Sequence, residues 1–173
     1  MLQKSLYFIA VAPNRELSSE IKVIQKDFAI RFSSAKSYNN FPHITIVPPF
    51  WETLEREDSL IKKFESIKIE SKPFTIRLKN FGSFDNLKNP VIFIQPEENF
   101  HFYEIATQIR ENFETKSKFH PHLTVAYRDL TRENFEKAWR ESEKNFFAEF
   151  LVEKIGLYKH FNKKWNLLSE IAL

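Results

Sequence analysis

Cysteine is absent from this chain and glycine occurs only twice, as Gly82 and Gly156. The missing thiol excludes a cysteine nucleophile, a disulfide and Cys-ligated zinc. Two isolated glycines cannot form a P-loop or a dinucleotide fingerprint, since both need clustered glycines to bring backbone close to phosphate. Any phosphate must then be held by side chains and by amides of loops and strand ends. Long hydrophobic runs are also missing. The apolar stretch 6–12 is short, is followed by Pro13-Asn14-Arg15 and lacks a small-residue cleavage site, and nothing reaches membrane-spanning length. The expectation is a soluble cytoplasmic protein without signal peptide or membrane partner.

The 173 residues are 42% hydrophobic, with nineteen Phe, which is enough to bury a sizeable core. A net charge of +3 is mildly basic and permits an anionic substrate without requiring one. With no linker or low-complexity segment in view, the chain reads as one two-lobed domain over 1–173.

Apolar periodicity predicts alternating strands and helices in two similar halves. In the first half, a buried strand over 6–12 leads to a helix over 16–32 with Ile21, Ile24, Phe28 and Phe32 on one stripe. A polar loop (33–40) follows, then a strand over 41–47 stopped by Pro48-Pro49, a helix over 56–66, and a strand over 73–81 broken at Phe81-Gly82-Ser83. The second half predicts a strand over 91–95, a helix over 99–113, a polar loop at 115–118 and a strand over 121–127. A helix from Thr131 to about residue 145 comes next, with Thr131 as N-cap. Two closing strands, near 149–158 and 165–172, flank a polar turn at Asn162-Lys163-Lys164.

One phrase occurs twice. Pro42-His43-Ile44-Thr45-Ile46 returns as Pro121-His122-Leu123-Thr124-Val125, with the aromatics Phe41 and Phe119 just upstream. Successive strand side chains point to opposite faces, so each His shares a face with its Thr. Imidazole titrates near neutrality, so one ring can act as base while the other acts as acid. The hydroxyls can donate to phosphoryl oxygens as charge builds on them. Two such arms facing each other suit phosphodiester cleavage without a metal.

The paired motifs resemble those of the two-histidine phosphoesterases, the superfamily of the 2′-5′ RNA ligases and 2′,3′-cyclic phosphodiesterases. The Leu6-Tyr7-Phe8-Ile9-Ala10-Val11 opening strand and the proline-then-helix after it resemble that family's start, so the likeness covers essentially the whole chain. It implies an α+β, bilobal, pseudo-twofold fold, with mainly antiparallel sheets lining a central cleft and helices outside. It also implies that His43 and His122 are catalytic and that Thr45 and Thr124 bind phosphate. The implied activity is metal-independent cleavage of a 2′,3′-cyclic phosphate or 2′-5′ linkage on RNA ends or small nucleotides, with ATP-independent ligation as the reverse. No cofactor and no obligate protein partner is implied.

This sequence departs from the family in one place. Ligase-type members often carry an Arg just beyond a His-x-Thr, whereas the first motif here runs into Val47-Pro48-Pro49. The second reaches Arg128, which on a regular strand would share the His122 face. Arg128, Phe41 and Tyr127 are expected to bind substrate, Arg128 by contacting a phosphate or lining the cleft. Basic and aromatic residues also interleave at 79–81, 116–119 and 159–165, where they could stack bases and attract phosphate if they ring the cleft. His120 is expected at the cleft edge, and His101 and His160 on the surface or in packing. Two rival readings remain: a non-catalytic RNA- or nucleotide-binding module on the same fold, and a metal-dependent hydrolase using His120 and His122 as a metal arm.

Overall fold

The structure, a computed structural model, describes residues 2–142 and 144–173. In chain order the elements are β1 (Lys4–Val11), α1 (Arg15–Phe32), β2 (Ile44–Thr53), a 3-10 turn (Leu54–Arg56), α2 (Glu57–Glu65), β3 (Phe74–Phe84), β4 (Val91–Pro96), α3 (Phe100–Asn112), β5 (Leu123–Ala126), α4 (Arg132–Glu141), β6 (Phe147–Val152), β7 (Lys154–Phe161) and β8 (Lys164–Ala172). The strands join one antiparallel sheet in the order β6-β3-β4-β5-β2-β1-β7-β8. The expected α+β fold is present, with its two lobes merged in one sheet. Each lobe contributes four strands, and the motif strands β2 and β5 meet at the centre.

Period-two burial along β1 assigns the two faces. Tyr7, Ile9 and Val11 point into the main core, which they share with Leu17, Ile21, Phe28 and Phe32 of α1 and with Phe102, Ile105 and Ile109 of α3. Phe8 and Ala10 point the other way and form a second cluster with Tyr158, Phe41 and Trp165. The helices therefore cover one face and leave the other open. Three of them begin at a side-chain cap: Asn14, Asn99 and Thr131 each accept from the backbone N–H three residues on. α4 ends at Glu141, short of the expected 145, and residue 143 on that stretch lies outside the described residues. Among the described residues no helix is long and apolar enough to cross a membrane.

Three expected boundaries are corrected. Pro48-Pro49 does not stop the first motif strand: β2 continues to Thr53, and its pairing with β1 shifts register between Tyr7 and Ile9. Beyond Ile44 no pairing with β5 is made, so the prolines lie where that side of β2 is a free edge and no ladder donor is lost. Gly82 does not break β3, which carries on to Phe84 with its irregularity at Asn80, where φ is 62°. The run over 149–158 is two strands. Glu153 separates β6, which pairs with β3, from β7, which pairs with β1 at the other end of the sheet. At the closing turn Asn162 and Lys163 both take positive φ, as a two-residue hairpin connection demands.

Candidate active site

The strand ladder between the two lobes is a single residue pair, Ile44 of β2 facing Leu123 of β5. These are the equivalent residues of the two motifs, so the local twofold passes between them. His43 and Thr45 flank this pair on one side, and His122 and Thr124 on the other. All four side chains line one cleft of about 550 Å³, while Ile44, Ile46, Leu123 and Val125 are buried in the core behind it.

The two histidines are held alike. His43 Nδ1 lies 2.7 Å from the Phe41 carbonyl oxygen, and His122 Nδ1 lies 2.7 Å from that of His120. A carbonyl can only accept, so each Nδ1 carries hydrogen and donates it. In the neutral ring Nε2 is then the free basic nitrogen, and both rings keep that atom for a ligand.

Each imidazole also sits against aromatic rings. His43 lies 4.9 Å from Phe8 and 4.8 Å from Phe41 between ring centroids, and Phe8 is braced by Tyr158 and Trp165. His122 lies 5.0 Å from Phe84 and 5.3 Å from Phe93. The chain's two glycines make room for these seats. A Cβ on Gly82 would stand 2.6 Å from the Phe93 ring, and one on Gly156 would stand 2.6 Å from the Tyr158 ring. Burial lowers the His43 pKa from 6.5 to about 4, the Phe41 carbonyl opposing and the His122 charge adding to the fall. His122 is also lowered, first by burial and then by His120, against the bond to the His120 carbonyl. Both rings are neutral in the free cleft at pH 7.

One wall is the loop 33–40, fastened at two points. The Asp129 carboxylate accepts from Ser34 Oγ and from the N–H groups of Ala35 and Lys36, each at 2.9 Å. Lys22 of α1 donates to the carbonyls of Tyr38 and Asn40. Behind the motifs, the buried Arg110 donates to the Ile46 carbonyl at 2.7 Å and to the Ser117 carbonyl and hydroxyl, tying β2 to the loop before β5. Among the described residues the cleft lining includes Lys36, Arg128 and Lys163 but no carboxylate, so its field favours an anion.

Phe41, Tyr127 and Arg128 line the cleft with the four motif side chains. Arg128 does not arrive by strand alternation, because β5 ends at Ala126 and Arg128 has φ 62°, with its guanidinium 5.3 Å from the Tyr127 ring centre. His160 is exposed and packs on Trp165, as expected, and it also lines the cleft. His120 is exposed next to Phe84 and outside the lining, and His101 is on the surface. Of the three basic-aromatic stretches only 159–165 reaches the cleft. Lys79 pairs with Glu97, and Phe119 packs on Phe102 and Tyr103. Sequence reasoning missed Phe8, Gln25 and the fastening role of Asp129. Gln25 did leave a signal, as a polar residue on the stripe Leu17, Ile21, Phe28, Phe32. Asp129 left none, since its partners lie 93–95 residues away in the chain. Among the described residues no group of three or more His, Cys, Asp or Glu could hold a metal ion, so His120 and His122 find no third ligand.

Residues 13–164 match the 2′-5′ RNA ligase superfamily. A protein of Bacillus cytotoxicus with a provisional phosphoesterase name is 24% identical over 163 residues, covering 92% of this chain and 91% of its own. The crystal structure of E. coli LigT in apo form superposes with a TM-score of 0.72 at 17% identity, over 99% of this chain and 98% of that one. LigT complexed with 3′-AMP gives 0.69 at 17% identity, over 99% of both. With the duplicated motif, the shared fold and a family match spanning most of its length, the chain belongs to the 2′-5′ RNA ligase superfamily.

Proposed function

We propose that this protein is a metal-independent phosphodiesterase of one two-lobed domain, acting on 2′,3′-cyclic phosphates or 2′-5′ linkages of RNA ends or nucleotides. Phosphoesterase chemistry is supported by the family match and by the phosphoesterase name of the Bacillus cytotoxicus relative. The observation that carries the reading is the matched pair of imidazoles, each tied at Nδ1 to the carbonyl two residues before it, in one cleft whose lining holds cations and no carboxylate among the described residues. The nucleotide in the LigT complex is a 3′-phosphate, the kind of product such a cleavage would leave.

In this reading the phosphodiester sits between the motifs with Thr45 and Thr124 donating to its nonbridging oxygens. Its negative charge raises the affinity of both rings for a proton, and His122, less deeply buried than His43, takes one. His43 Nε2 accepts a proton from water as the water oxygen bonds to phosphorus. His122 Nε2–H gives its proton to the sugar oxygen as the P–O bond breaks. With the hydroxyl of another end in place of water, the same steps open the cyclic phosphate and join the ends without ATP: His43 takes the hydroxyl proton as its oxygen bonds to phosphorus, and His122 gives one to the sugar oxygen that leaves.

The test is hydrolysis of 2′,3′-cyclic nucleotides and of an RNA ending in a 2′,3′-cyclic phosphate, with excess chelator, for the parent and for His43→Ala/His122→Ala. Turnover that withstands the chelator and disappears in the double variant is expected. Loss of turnover with the chelator would overturn the metal-independent scheme. Binding without turnover in the folded parent would show a binding module instead.

A further inference from the structure

Three buried side-chain polar atoms lack a protein hydrogen-bond partner among the described residues: Gln25 Oε1, Ser37 Oγ and Ser142 Oγ. Gln25 and Ser37 both line the cleft, and each is only 2% exposed. An unpaired buried polar group costs roughly 1–3 kcal/mol, so two of them in one cleft call for a ligand.

The orientation of Gln25 follows from its one bond. Its Nε2 stands 3.0 Å from the Thr124 carbonyl oxygen, which accepts only, so the amide hydrogens must be at that end. Thr124 lies one residue past the single β2–β5 pair, and Gln25 takes up its carbonyl where the ladder between the motif strands stops. Oε1 is thereby left beside a motif threonine as an acceptor without a donor. It cannot face phosphoryl oxygens, which are acceptors as well. Its complement is a hydrogen-bond donor on the ligand. Ser37 Oγ can both donate and accept, so the two together match a hydroxyl, which also does both.

We propose that Gln25 Oε1 and Ser37 Oγ form a subsite for the sugar hydroxyl vicinal to the phosphate, present in a ribonucleoside 2′- or 3′-monophosphate and in a 2′-5′ diester. The proposal rests on the phosphodiesterase reading. It adds that the protein distinguishes ribose from deoxyribose directly, by contact with the hydroxyl as well as through the need for one in the chemistry. A sugar lacking this hydroxyl leaves both polar atoms unpaired, and discrimination then reaches about tenfold or more.

The experiment is calorimetric titration of adenosine 3′-phosphate and 2′-deoxyadenosine 3′-phosphate into the parent, Gln25→Met and Ser37→Ala, with thermal melts to establish that each is folded. The parent should prefer the ribonucleotide by about tenfold or more. In each variant the preference should shrink toward equality with deoxynucleotide affinity retained, and Ser37→Ala keeps the test valid should Gln25→Met fail to fold. Equal binding of the two nucleotides by the parent would overturn the subsite and leave the phosphate site standing. A preference that persists in both variants would do the same. Binding of neither, together with no turnover of cyclic substrates, would overturn the phosphodiesterase reading along with the subsite.

Discussion

Acidification should destabilise the parent more steeply than a His43→Asn variant. In the folded protein burial holds His43 at about 4, against an ordinary value of 6.5. Above pH 6.5 the ring is neutral in both folded and unfolded chains and contributes no pH dependence. As the pH falls below 6.5 the unfolded chain binds the proton first, and the unfolded state gains until the folded ring titrates near 4. Between 6.5 and 4, at about 1.4 kcal/mol per pH unit, the full effect is about 3 kcal/mol, most of it expressed by pH 4.5. The ring opens partly on the cleft, and solvent there reduces the expectation to about 2 kcal/mol. Asparagine suits the comparison because its side-chain N–H can replace Nδ1 at the Phe41 carbonyl while nothing titrates. Urea unfolding of both proteins at pH 7.5 and 4.5 supplies the measurement, with His122 present in each. The parent should lose about 2 kcal/mol more than the variant over that interval. Equal losses would refute the reasoning, since they would mean that His43 is as easily protonated folded as unfolded.

Three other outcomes follow from the same contacts. Gly82→Ala puts a Cβ 2.6 Å from a Phe93 ring already packed on Phe84 and His122, so thermal unfolding should show a loss of about 1–3 kcal/mol. Arg110→Met leaves the buried Ile46 carbonyl and the Ser117 groups without their donor, and denaturant melts should record about 2–4 kcal/mol of destabilisation. Asp129→Ala removes the acceptor for the Ala35 and Lys36 amides, and their hydrogen exchange should accelerate at least tenfold while that of the β1 amides is unchanged.

Local regularities were legible in the chain. The cap at Thr131 and the 3.6-residue stripes marked the helices, because a helix satisfies its backbone within itself and its signals are near in sequence; the structure adds Asn14 and Asn99 as caps of the same kind. The His-x-Thr repeat pointed to one cleft for the same reason, since face-sharing on a strand is a two-residue property. Strand limits fared worse. Pro48-Pro49 and Gly82 look like breakers when read alone, yet whether a proline stops a strand depends on whether its neighbour uses that edge, and β5 does not. The run through Glu153 likewise divides because β6 and β7 answer to opposite ends of the sheet.

The sequence by itself determined the alternation of elements, the doubled His-Thr arms and the exclusion of thiol and glycine-loop chemistry. All of these depend on residue type and short-range spacing. Tertiary structure decided what stands around the arms: Phe8 and Trp165 behind His43, Phe84 and Phe93 around His122, Asp129 fastening the loop 33–40, and Gln25 at the open end of the central ladder. Those contacts join residues far apart in the chain, and none follows a period that could be read along it. They also set the burial that holds both histidines neutral, because desolvation belongs to the whole enclosure of a ring and not to its neighbours in sequence.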